Sequence, residues 1–276
     1  MTKAMSTTSP DFESGYANVN GTDLYYEIAG SGTPLILVHG LSLDKRMWDS
    51  QFGMLAENYR VIRYDARGHG KSVPTSTDAY SHSKDLKGLM DVLSIDRAHL
   101  VGLSMGGRTV IDFTIDNPGR AISLVPVDSP LPGMDPVTDF PGRIGRIIAT
   151  ANESGMSAAL DMWCADELFT PAVNNSISAE PLDEILRGYS GWNWTSGATV
   201  IDRDRPAAQL LDTISAPTLV IVGELDLLDF HVAADAMEAN ITDARKSVIS
   251  GAGHMSNMED PATFNTLLKE FLSGIE

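Results

Sequence analysis

Basic residues are scarce in this chain. Its 20 lysines and arginines face 37 aspartates and glutamates, a formal net charge of −17. An acidic surface of that kind repels phosphate backbones, so nucleic acid is excluded as an expected partner. Cysteine is almost absent. With Cys164 alone no intrachain disulfide can form, and a reducing cytoplasm is the expected compartment. No apolar run approaches the roughly 18 residues needed to span a bilayer, which excludes a membrane role. The opening MTKAMSTTSP lacks the apolar stretch of a secretory signal, and residues 1–13 read as a disordered leader. None of the 6 histidines has companions at metal-ligand spacing, so neither metal nor cofactor is expected.

What is present suits a soluble globule: 276 residues, 43% of them apolar, enough to bury a full core. Two short segments around YANVN and DLYYEI flank Asn20-Gly21, a hairpin signal. Continuous apolar runs of buried-strand type follow at PLILV (34–38), at 61–64, at 100–101, at AISLV (121–125) and at 219–222. Helical spacing predicts helices over about 44–57, 80–93, 232–237 and 261–272, and a strand over 246–249. Alternation of this kind predicts an α/β fold with a mostly parallel sheet, whose sites lie at the carboxyl ends of the strands.

One stretch organises the rest. His99-Leu-Val-Gly-Leu-Ser-Met-Gly-Gly107 joins a buried strand to a helix through Gly102-x-Ser104-x-Gly106. A turn so tight requires glycine two positions either side, and it lifts the serine hydroxyl above the sheet edge at a helix N-terminus, where a developing oxyanion is favoured. Ser104 is therefore the candidate nucleophile. His254, in the loop Gly251-Ala-Gly-His after the final strand, is the candidate base. Asp226, just beyond the strand at 219–222, is the favoured acid; Asp229 and Asp128 compete for that role. The chain order Ser, Asp, His is one of several orders in which such triads occur.

These motifs resemble the nucleophile elbow, acid turn and histidine loop of the α/β-hydrolase fold, and the resemblance runs from about Gly21 to the C-terminus. It implies an eight-stranded, mostly parallel sheet with helices on both faces. By similarity to the family's His-Gly-x loop, the oxyanion hole would be formed by the backbone N–H groups of Leu41 and Met105, with His39 bracing the loop. Asp65-Ala-Arg-Gly-His-Gly-Lys-Ser72 ends like a phosphate-binding loop, but Asp65 stands where that motif needs its first glycine. It resembles instead a structural turn of capped members of the fold.

Roughly ninety residues separate Asp128 from Thr218 where one crossover helix would suffice. Residues 131–206 are thus expected to be an inserted helical cap on a core formed by 14–130 and 207–276. Three of the 4 tryptophans lie in it. Trp163, Trp192 and Trp194, with Leu131 and Met255, are the expected pocket residues.

A serine at the elbow argues against the branches that use a carboxylate nucleophile. The elbow, Glu167-Leu-Phe-Thr-Pro171 and His254-Met-Ser-Asn-Met-Glu259 are most similar to the oxoadipate enol-lactonases. Where those enzymes tend to carry a basic residue and a tryptophan, this chain reads Ser129-Pro-Leu-Pro-Gly-Met134. The expected activity is hydrolysis of a small carboxylic ester or lactone through an acyl-enzyme. Enol-lactone or carbon–carbon hydrolysis, and a ligand receptor on the same fold, stand as alternatives.

Overall fold

The computed structural model describes residues 11–275. Strands β1 (Glu13–Val19) and β2 (Thr22–Ala29) form the expected hairpin, with Val19 paired to Thr22. Asn20 and Gly21 turn it with φ of 46° and 76°, the left-handed pair that matches strand twist. The boundary expected after residue 13 falls within described chain, because β1 already begins at Glu13. Residues 1–10 lie outside the described residues, but Glu13 already pairs with Ile28, and the Phe12 ring packs edge-on against Phe52 with centroids 6.3 Å apart.

β3 (Pro34–Val38) leads into a loop, a short 3-10 turn at Lys45–Trp48, and α1 (Asp49–Ala56). The single helix expected over 44–57 is therefore split. Asp44 caps the 3-10 turn by accepting from the Arg46 N–H, while the Asp65 carboxylate takes the Lys45 N–H at 3.0 Å, so side chains satisfy these first amides. β4 (Arg60–Tyr64), α2 (His82–Val92), β5 (Ala98–Leu103), α3 (Met105–Asp116) and β6 (Ala121–Val127) follow as alternating units. α2 begins at Ser81, whose hydroxyl accepts from the Lys84 N–H, and buries Leu86, Leu89 and Met90 at helical spacing.

The regular alternation then gives way to α4 (Phe140–Glu153), α5 (Met156–Cys164), α6 (Thr170–Val173), α7 (Ala179–Arg187) and α8 (Trp192–Thr195). It resumes with β7 (Thr218–Gly223), α9 (Leu228–Asn240), β8 (Ala244–Ile249), α10 (Ser256–Glu259) and α11 (Pro261–Ser273). All eight strands join one sheet in the order β1-β2-β4-β3-β5-β6-β7-β8. The pairings of β2 with β1 and β4 are antiparallel, and the rest are parallel.

Central strands β5 and β7 are buried along their whole length, because helices cover both faces. The edges differ. β1 and β8 expose part of their residues, and β8 carries Arg245 and Lys246, charges that discourage pairing with another chain. The turn at 65–72 is a bracket. Arg67 is buried against Asp85 in two hydrogen bonds of 2.8 and 2.9 Å and donates to the Asn20 carbonyl. Asp65 takes the N–H groups of Lys45 and Lys71. Gly70 is needed there because a Cβ would stand 2.4 Å from the Asp65 carboxyl. Among the described residues no helix is long and apolar enough to cross a membrane.

Candidate active site

β5 stops at Leu103 and α3 starts at Met105, so Ser104 alone makes the turn, at φ 54° and ψ −115°. A side-chain-bearing residue at that φ is strained, typically by about 1–3 kcal/mol, and persists only where neighbours over-determine it. They do. The Ser104 N–H donates to the Val127 carbonyl at 2.9 Å, and its own carbonyl accepts from Arg108 at 3.0 Å. A Cβ on Gly102 would lie 2.2 Å from the Gly106 oxygen, and one on Gly106 would lie 2.1 Å from the Val38 oxygen. Only hydrogen fits at either position.

The carboxyl ends of β7 and β8 bring up the partners. Asp226 follows Gly223 in a turn closed by its N–H on the Gly223 carbonyl, and its carboxylate takes the Leu227 N–H at 2.7 Å. His254 Nδ1 donates to Asp226 Oδ2 at 2.9 Å, with both side chains almost wholly inaccessible at 3% and 0% exposure. That bond leaves Nε2 as the free lone pair. Glu259 holds the loop on either side of the ring, accepting from the Gly253 and Met255 N–H groups at 2.8 and 3.0 Å. The Phe230 ring lies against the imidazole at 4.4 Å. Burial lowers the His254 pKa to about 4, against the pull of Asp128, Glu259 and Asp166.

The two competing acids are elsewhere engaged. Asp229 accepts from the Val137 and Thr138 N–H groups and from the Thr138 hydroxyl, tying the start of the insertion to α9. Asp128 is fully buried behind Asp226, accepting from the Gly223 N–H at 2.7 Å and the Ser256 hydroxyl at 2.6 Å. Neither bond is to His254.

The loop after β3 is built from buried neutral histidines. His39 Nδ1 donates to the Gly40 carbonyl at 2.7 Å while Nε2 accepts the Ala66 N–H at 2.8 Å. His69 Nε2 accepts the Ser42 N–H at 3.3 Å. Burial lowers both pKa values, which keeps each ring able to accept. Ser42 sits at φ 60°, and its hydroxyl receives the Trp163 indole N–H at 2.5 Å, so the insertion grips this loop directly. Among the described residues neither the Leu41 nor the Met105 N–H has an acceptor.

A cavity of about 300 Å³ unites these groups. Ser104, His254, Leu41 and Met105 all line it, beneath an apolar wall of Phe140, Ile144, Ile148, Trp163, Leu168, Phe169 and Trp194. The polar part of its lining includes Tyr80, His82, Arg108, Thr109 and Asn193. Of the expected pocket residues, Trp163 and Trp194 are in place and three are not. Leu131 faces a neighbouring cavity of about 430 Å³ beyond Pro130. Trp192 lies over Gly68, where a Cβ would meet its ring at 2.4 Å, and tilts against Tyr80. Met255 is fully buried, since the Glu259 bonds turn it beneath the loop when His254 points into the cavity.

Sequence reasoning missed Phe140, Ile144 and Ile148. Their spacing of four marks one face of α4, but Ile147 and Ala151, buried on the same helix, offered a second stripe. Arg108 was also missed, although it stands four residues after Ser104 on α3 and so one turn above it. Its charge is matched: it pairs with Asp202 and lies 3.5 Å from Asp112. Arg143, Arg146 and Arg187 are paired with carboxylates of the insertion and do not line the cavity. Among the described residues no group of three or more His, Cys, Asp or Glu could hold a metal ion.

Comparison with known proteins gives a consistent picture. A family described as the alpha/beta hydrolase fold matches residues 33–261. Over 262 residues the chain is 26% identical to the 3-oxoadipate enol-lactonase 1 of Acinetobacter baylyi, covering 94% of this chain and 96% of that protein. Among solved structures, the enol-lactonase from Burkholderia xenovorans superposes with a TM-score of 0.81 at 28% identity, covering 94% of this chain and 100% of that one. A thermophilic esterase from Thermogutta terrifontis superposes with a TM-score of 0.81 at 25% identity, covering 95% and 99%.

Proposed function

The chain belongs to the α/β-hydrolase fold family, and from that premise we propose that it is a serine hydrolase that cleaves a small carboxylic ester or lactone through an acyl-enzyme. The observation that carries this reading is the 2.9 Å bond from His254 to Asp226, the His254 ring lining the same cavity as the strained Ser104 and two unpaired amides.

His254 Nε2 takes the Ser104 proton as the hydroxyl oxygen attacks the substrate carbonyl, and Asp226 keeps Nδ1 protonated and stabilises the imidazolium. The tetrahedral oxyanion is received by the Leu41 and Met105 N–H groups, the latter in the first turn of α3, where the helix dipole favours negative charge. His254 then returns the proton to the leaving alkoxide. Water repeats the sequence on the acyl-enzyme, releasing the acid and freeing Ser104.

The apolar wall supplied by the insertion suits the hydrocarbon part of the substrate, and the polar lining from Tyr80 to Asn193 suits an ester or lactone oxygen. Arg108 is already opposed by Asp112 and Asp202, so among the described residues that line the cavity no uncommitted lysine or arginine awaits a carboxylate. A neutral ester therefore fits the cavity better than an anionic enol-lactone.

The test is chemical. Wild type treated with a serine-directed phosphonate is expected to lose activity with one equivalent bound at Ser104, and Ser104→Ala is expected to retain only about 10³–10⁴-fold catalysis over water. Labelling at another residue, or near-normal turnover by Ser104→Ala, overturns the reading. Release of a single equivalent of product without further turnover would favour a ligand receptor on the same fold.

A further inference from the structure

The two amides proposed to receive the oxyanion are built differently. The Met105 N–H opens α3 directly after the elbow, inside the core. The Leu41 N–H belongs to a turn, Gly40 to Leu43, closed by the Leu43 N–H on the Gly40 carbonyl at 3.3 Å. The Gly40 carbonyl and the Leu41 N–H are the two ends of one planar trans peptide and point in opposite directions. The bonds that Leu43 and His39 Nδ1 make to that carbonyl therefore set where the amide points.

The third residue of this turn is Ser42, at φ 60°, a conformation that glycine would take more easily. Three hydrogen bonds hold it there. Its N–H donates to His69 Nε2 at 3.3 Å, and its hydroxyl donates to the Leu41 carbonyl at 2.5 Å. The same hydroxyl accepts the Trp163 indole N–H at 2.5 Å. The first two bonds come from the core, but the third crosses from α5 of the insertion, 121 residues away along the chain. Trp163 is itself clamped, buried with its ring edge-on to Phe169 and Trp194 at centroid distances of 4.9 and 6.1 Å.

We propose that Trp163 is a positioning residue for the oxyanion hole. Its indole N–H fixes the Ser42 hydroxyl, Ser42 holds the turn at its unfavourable φ, and the turn aims the Leu41 N–H at the carbonyl that Ser104 attacks. The Ser42 hydroxyl has one hydrogen to give, and an indole seated on its lone pair leaves that hydrogen for Leu41. Among the described residues the Leu41 carbonyl has no other donor. Without the indole the hydroxyl is free to rotate, the carbonyl loses its partner and the turn relaxes. The hole is therefore complete only beneath a seated insertion, which gives the insertion a part in catalysis beyond walling the cavity.

The inference rests on the serine-hydrolase reading, and wild type serves as the control for that reading. The comparison uses Trp163→Phe, which keeps an aromatic ring but has no N–H, Ser42→Gly, which accepts the positive φ but has no hydroxyl, and the double variant. Each is measured for kcat and KM with a neutral ester, for folding by urea unfolding, and for binding of two probes. One probe is an alkyl boronic acid, whose adduct with Ser104 places an oxyanion-like oxygen on the Leu41 N–H. The other is the ether isostere of the ester, which has no carbonyl to place there.

Trp163→Phe is expected to lower kcat by about tenfold, less than the roughly 10²–10³ that removing an oxyanion donor outright costs. Boronic acid affinity should weaken by a similar factor, while KM and ether affinity stay within about twofold, because only interactions made in the transition state are lost. Ser42→Gly should behave alike, and the double variant should fall no further than about twofold below either single one, since both changes break the same link.

A folded Trp163→Phe with wild-type kcat overturns the proposal. So does a loss that appears equally in KM and ether affinity, the signature of removed packing, or a double variant whose losses multiply to about a hundredfold. A wild type that neither turns over ester nor binds the boronic acid overturns the serine-hydrolase reading, and this inference with it.

Discussion

Lowering the pH perturbs His254 without altering any side chain, and the structure sets where the effect should fall. A histidine in an unexceptional loop would titrate at roughly 6–7. Here the side chain is 3% exposed, packed against Phe230 and covered by the insertion, and its pKa falls from 6.5 to about 4. At ~1.4 kcal/mol per unit, burial sets about 3 kcal/mol against the free imidazolium. The proposed base is thus neutral far below neutral pH.

The expected profile of kcat/KM is flat from about pH 8 down to about 5, with its half-point near 4, because kcat/KM reports the free enzyme's ionisations. The assay is initial rate at low substrate and constant ionic strength, with an ester whose product is read equally at every pH, and tryptophan fluorescence to verify folding at each point. A midpoint at 6–7 would refute the reasoning. It would mean that water reaches the ring in solution, and hence that the insertion stands away from the elbow for much of the time.

Four further outcomes are expected. Asp226→Asn should lower kcat by roughly 10³–10⁴-fold, because only the true partner fixes the imidazole tautomer. Asp229→Asn should lose less than about tenfold, since it serves Val137 and Thr138, and parallel rates for the two would sink the assignment. Arg67→Ala leaves Asp85 buried without its partner and should cost about 3–5 kcal/mol of stability in urea unfolding; a loss under about 1 kcal/mol would show that Asp85 finds water. A neutral ester should exceed its carboxylate-bearing isostere in kcat/KM at low salt, with the gap narrowing toward about 1 M, where the Debye length is roughly 3 Å; preference for the anion would free Arg108 from Asp112 and Asp202 as a clamp.

Much of this molecule was legible in the chain because the features concerned are local. The elbow follows from nearest-neighbour geometry: an apolar strand, glycines where a Cβ would strike Val38 or Gly106, and a helix beyond. The hairpin at Asn20-Gly21 is local in the same way. Chain order left three candidate acids between Ser104 and His254, since a parallel sheet delivers successive strand ends to one edge, and only the folded structure joins one of them, Asp226, to the imidazole.

The pocket was not legible, because its lining depends on how α4, α5 and α8 rotate over the core. Residues 140, 144 and 148 face inward by that rotation, while Trp192 is claimed by Gly68 and Tyr80 and Met255 by the core. Nor does sequence state a pKa: His254 is lowered by a cover that lies far away along the chain. The burial of Asp128 has the same origin. Residues 128, 223 and 256 meet only when three strand ends are assembled and water is excluded, and that exclusion, a property of the whole tertiary structure, pushes the Asp128 carboxyl above its ordinary range.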